Sequence, residues 1–76
     1  MRYIMTKRTD VLKSIKQGAK FRGIRFRLLR YGSKHDVWDL GGQRITVPRH
    51  TEIEEKLAKA IFAQCEETLG KDWWRR

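Results

Sequence analysis

A single cysteine, a single proline and half as many acidic as basic side chains set the first limits on this chain of 76 residues. Cys65 has no partner for an internal disulfide, and small extracellular domains normally carry several, so a reducing compartment, the cytoplasm, is the expected setting. Long hydrophobic runs are missing too. The longest, Ala60-Ile61-Phe62-Ala63, falls far short of a membrane span or the apolar stretch of a signal peptide. Two domains do not fit either. A domain this small hides only about 60% of the surface of its unfolded chain, which excludes a cofactor domain beside a substrate domain. Two histidines, one cysteine on a helical stripe and no clustered carboxylates give no metal-ligand spacing, and neither metal nor cofactor is expected.

Positive charge is what the chain has in excess. Eighteen lysines and arginines against 9 acidic residues leave a formal charge of +9. That imbalance points to a polyanionic partner: nucleic acid, an anionic membrane or an acidic protein.

Apolar periodicity divides the chain into five elements. Thr6 to Gln17 reads as a helix, capped by Thr6 or Thr9, with Val11, Leu12 and Ile15 on one face and Gly18 as its stop. From residue 20 to 31 the period changes to two, with Ile24, Phe26 and Leu28 alternating with Arg25, Arg27 and Leu29. His35 to Leu40 and Gln43 to Val47 are two further strands. Gly41-Gly42 between them is a hairpin signal, because two-residue turns need positive φ, and Pro48 closes the last strand. Thr51-Glu52-Ile53-Glu54 reads as a capping box for a final helix. Ile53, Leu57, Ile61 and Cys65 form that helix's buried stripe, flanked by Ala58, Ala60 and Leu69, and Gly70 ends it. The expected fold is α+β, in the order α-β-β-β-α: a three-stranded antiparallel sheet with both helices packed on one face, in a single domain with a core of about 7–70.

The hairpin predicts which side chains share a face. Leu40 pairs with Gln43, Asp39 with Arg44, Trp38 with Ile45 and Val37 with Thr46, so Trp38, Leu40, Ile45 and Val47 point toward the helices. For the preceding connection, a Gly32-Ser33 turn would set Phe26 against Asp39. A Gly32-Ser33-Lys34 loop instead sets Leu28 against Trp38 and Phe26 against Leu40, which keeps core with core. The outer face then carries Arg25, Arg27, Tyr31, His35, Arg44 and Thr46, with Leu29 and Val37 as apolar cross-strand neighbours.

Arg30-Tyr31-Gly32-Ser33-Lys34-His35-Asp36-Val37-Trp38, followed by Ile45-Thr46-Val47-Pro48-Arg49-His50 and the helix Glu52 to Ile61, resembles the HicA family over roughly residues 7–70. Those proteins are small RNA-cleaving toxins of toxin–antitoxin pairs, with a double-stranded-RNA-binding-domain-like fold. The resemblance implies an mRNA-cleaving endoribonuclease with His35 as its catalytic residue. It also implies a cognate antitoxin of HicB type that covers the active face. The chain departs from the family around Phe21-Arg22-Gly23-Ile24, which looks expanded, and in the added segment Lys71 to Arg76.

The residues suit that chemistry by themselves. Metal-independent cleavage uses the 2′-hydroxyl of the RNA as nucleophile, and histidine is the side chain able to take its proton near neutral pH. Lys34, and Arg44 expected near His35 across the hairpin, are the candidate clamps for developing phosphorane charge. Arg25, Arg27 and Tyr31 complete an RNA-binding face. His50 is read as anchoring the last helix rather than as a second catalytic group, and Cys65 as a core thiol. A single histidine without a partner acid makes a slow enzyme. Trp73-Trp74-Arg75-Arg76 suggests a stacking tail, but one tryptophan folding back over the core is the simpler expectation. The competing function is a non-catalytic RNA-binding domain of double-stranded-RNA-binding type, which needs no histidine in its sheet. A DNA-binding adaptor lacks helix-turn-helix spacing.

Overall fold

In the computed structural model, which describes residues 5–71 together with Trp73 and Trp74, the elements run β1 (Met5–Lys7), α1 (Arg8–Phe21), β2 (Phe26–Arg30), β3 (His35–Leu40), β4 (Gln43–Pro48), β5 (Glu52–Glu54) and α2 (Glu55–Leu69). The main sheet is antiparallel with order β2-β3-β4. At the diglycine turn Gly41 and Gly42 take φ of 57° and 99°, as a tight hairpin requires. The four expected hairpin pairs all form, from Leu40 opposite Gln43 to Val37 opposite Thr46. Phe26 faces Leu40 and Leu28 faces Trp38, as core-to-core matching demands.

Both helices lie on the sheet face that carries Leu40, Ile45 and Val47. These close one core with Val11, Ile15 and Ala19 of α1 and Ala58, Ile61, Cys65 and Leu69 of α2. Each fully buried aliphatic side chain there contributes about 1.5–3 kcal/mol of transfer free energy. The core thins toward β2, the edge strand: Leu28 is 43% exposed although it points inward, and Phe26 covers the gap by stacking on Trp38 at 4.7 Å.

Four local expectations are corrected. First, α1 runs through Gly18 to Phe21. Gly18 is a contact residue, since a Cβ there would lie 2.8 Å from Cε3 of Trp73. Lys7 occupies the N-cap without a side-chain cap bond, so neither Thr6 nor Thr9 caps this helix. Second, Glu52–Glu54 is a strand paired with Met5–Lys7, Thr6 facing Ile53, rather than a capping box. The two segments satisfy each other's backbone groups, and the ladder continues as Arg8 N–H donates to Thr51 O at 2.9 Å. Third, with Ile53 in a strand the α2 stripe shifts to Ala58, Ile61, Cys65 and Leu69, and Leu57 turns outward at 42% exposure. Fourth, the register between β2 and β3 slips after Leu28, so Arg30 rather than Leu29 faces Val37. One residue is accommodated as a bulge where the chain tightens toward Gly32.

Among the described residues no helix is long and apolar enough to cross a membrane.

Candidate active site

His35 opens β3, opposite Pro48, with an exposed side chain. Its strand alternation places it on the face away from the helices, together with Val37 and Asp39. The next residue points the other way. Asp36 is 1% exposed, and its carboxylate lies within the inner layer.

Asp36 organises the segment around His35. It forms an ion pair with the guanidinium of Arg8, at the start of α1. Arg49 Nε lies 3.7 Å from its other oxygen, which also accepts from the Gly32 N–H at 3.4 Å. Arg49 in turn donates to Gly32 O at 2.7 Å and to the Tyr31 hydroxyl at 2.7 Å, with its guanidinium 4.0 Å from the Tyr31 ring centroid. Its backbone N–H donates to Lys34 O at 3.0 Å, and Arg8 Nε donates to Pro48 O at 2.9 Å. The loop before His35 is therefore held at Gly32 and Lys34, and the facing end of β4 at Pro48, by two arginines and one carboxylate. A reactive side chain on an exposed loop end gains a fixed direction by such support.

These supporting residues escaped sequence reasoning, although one signal was present. Asp36 stands at an inward position of an alternating strand, between Val37 and an exposed histidine, where a carboxylate needs a buried cation.

The expected cationic set is only partly assembled. Lys34 is exposed and adjacent to His35. Arg44 does not lie near His35: it faces Asp39, four residues along β3, about 13 Å away by strand rise. Asp39 also approaches Arg27 at 3.9 Å, so its carboxylate pairs with one arginine while a second, Arg44, is its neighbour across the other ladder. Arg30 takes the nearer position. The bulge carries it onto the outer face opposite Val37, where it is a diagonal neighbour of His35. Arg25 is exposed just before the other end of the same strand, its carbonyl bonded to the Gly41 N–H at 2.8 Å. Tyr31 is 70% exposed but serves Arg49. Leu29, which sits in the bulge, is 43% exposed.

The remaining candidates separate from the site. His50 is exposed, and because β5 intervenes before α2, it does not anchor that helix. Burial pushes the Cys65 thiol up to about 12, which makes it a core group rather than a nucleophile. Trp73 folds back over the core at 8% exposure, its indole N–H bonded to Phe62 O at 2.8 Å. Arg75 and Arg76 lie outside the described residues.

No family model, no characterised protein and no solved structure matches the chain.

Proposed function

We propose that the protein is an endoribonuclease toxin that cleaves mRNA in the cytoplasm with His35 as general base. The observation that carries this reading is an exposed histidine, opening a strand directly after a braced loop, set on the basic face of a strongly cationic domain. In the reaction, the imidazole removes the proton of a ribose 2′-hydroxyl, and the 2′-oxygen attacks the adjacent phosphorus. The bond from phosphorus to the 5′-oxygen breaks, and that oxygen takes a proton from solvent. A 2′,3′-cyclic phosphate and a 5′-hydroxyl result. Lys34, adjacent to His35, and Arg30, diagonal to it, would supply the cations that developing negative charge on the phosphorane needs. Without a positioned acid for the leaving oxygen the rate is lower by roughly 10²–10⁴, so turnover is slow.

A HicB-type antitoxin fits the same face. An acidic partner would be steered by the surplus charge, and Leu29 and Val37 offer an apolar contact beside the cations. RNA and antitoxin would then compete for the same arginines.

Purified protein incubated with RNA in the presence of EDTA tests the catalytic reading, with His35→Ala as control. Cleavage by the wild type and none by the folded variant is expected. Activity that survives in folded His35→Ala removes this histidine from the mechanism. RNA that is bound but never cut would favour the non-catalytic alternative.

A further inference from the structure

The face behind the sheet holds a second feature that the cleavage chemistry does not use. Between the C-terminal half of α1, the middle of α2 and the tryptophans that follow it lies a groove of about 370 Å³, lined by Gln17, Phe21, Arg22, Phe62, Trp73 and Trp74 among others. Trp73 forms its floor over Gly18. Phe62 packs edge-on to Trp73 at 5.2 Å and tilts toward Trp74 at 5.7 Å. Phe21 stands at the rim, 84% exposed, with the Arg22 guanidinium 5.6 Å from its ring centroid. An exposed phenylalanine beside an arginine, over a tryptophan floor, presents flat aromatic surface and positive charge together. Unstacked nucleobases bind to that combination without needing a particular sequence.

The chain connects this groove to His35 by a line of arginines. Arg22 follows α1 directly, and Gly23 at φ 69° turns the chain into β2. Arg25 immediately precedes that strand, Arg27 occupies an outer position in it, and the bulge adds Arg30 diagonal to His35. Outer positions of a strand recur about every 7 Å, close to the separation of successive phosphates in an extended single strand. Arg25 to Arg30 covers about 16 Å, more than a dinucleotide spans. Arg27 is the weakest member, because Asp39 shares it at 3.9 Å.

We propose that this groove stacks a base of the same single-stranded RNA that is cut at His35, several nucleotides from the scissile phosphate, with Arg22, Arg25, Arg27 and Arg30 carrying the phosphates between. The inference rests on the ribonuclease reading and extends it from a reactive residue to a strand path. Substrate choice then depends on single-stranded length around the cut, not only on the bases next to it.

The test uses the full chain carrying His35→Ala, so that RNA stays intact, with oligouridylate of increasing length. Lengthening from a trinucleotide to a decanucleotide raises affinity, and adding Phe21→Ala shrinks that gain by about fivefold or more, the lower end of one stacked base. Because Phe21 is exposed and uncharged, its removal leaves the salt dependence of binding unchanged, whereas Arg22→Ala lowers the log–log slope by about 0.7. In parallel, 5-iodouridine placed several nucleotides from the cut crosslinks to the peptide containing Phe21 or to that containing Trp74. A length gain untouched by Phe21→Ala, with crosslinks confined to the sheet, overturns the groove assignment while leaving cleavage at His35 standing. Protection of the groove by a protein partner, with no RNA crosslink there, overturns it too. If RNA of no length is bound or cut, the ribonuclease reading falls and this inference with it.

Discussion

Gly32 and His35 are in backbone contact: a Cβ on Gly32 would lie 2.1 Å from the carbonyl oxygen of His35. No side chain fits there without moving the backbone that carries the histidine. Gly32→Ala is therefore expected to cost about 1–3 kcal/mol, as overpacking does. For a domain of this size that is a fall in Tm of about 4–8 °C for each kcal/mol. RNA cleavage should drop in the same variant at temperatures where it is still folded. An unchanged Tm with full activity would mean that the two backbones do not approach so closely.

The brace behind the loop gives a second expectation. Asp36 is buried with Arg8 and Arg49 against it, and removing one partner of a buried ion pair leaves cations poorly compensated. Both arginines keep some contact with water, which places Asp36→Asn at the lower end of the range for breaking a buried pair, at about 3 kcal/mol. Denaturant unfolding measures it. A loss no larger than that of an exposed pair, below about 1 kcal/mol, would show that the cluster is ornamental.

Arg30 and Arg44 should separate by role. Arg30→Ala removes the cation diagonal to His35 and lowers the cleavage rate on the order of 10²-fold, as loss of a charge-stabilising donor does. Arg44→Ala, remote from the reacting phosphate, weakens RNA binding with little change in the rate at saturating substrate. Each variant lowers the log–log salt slope of binding by about 0.7. Single-turnover kinetics under saturation decide the matter, and equal rate losses would return Arg44 to the site.

Cys65 makes stability depend on alkaline pH. Its thiol moves from 9.0 in the ordinary state to about 12 in the fold, through burial. Between those values the unfolded chain loses this proton and the folded chain keeps it, so the stability contributed by Cys65 is complete below about 9 and declines up to about 12. The difference in unfolding free energy between wild type and Cys65→Ala should therefore narrow across that window. A difference that is flat from neutral pH to pH 12 would show that the thiol titrates alike in both states.

The local parts of this protein were legible in the chain because they depend on neighbours only. Gly41 and Gly42 set the hairpin, and a period of two then dictated which residues of β3 and β4 share a face, down to His35 pointing outward. The helix boundaries were less legible, since Gly18 and the Thr51–Glu54 segment carry local signals that distant partners override: Trp73 packs on the first, and Met5–Lys7 pairs with the second. The composition of the site needed the tertiary structure. A bulge after Leu28 exchanges Leu29 for Arg30 opposite Val37, because a slip of one residue reverses every later side chain. Asp36 pairs with Arg8 across 28 positions of sequence, and no periodicity announces a partner at that range. The outward placement of the candidate residue, His35, was thus decided by sequence, through strand alternation. Which cations stand beside it, and what holds it still, were decided by long-range packing.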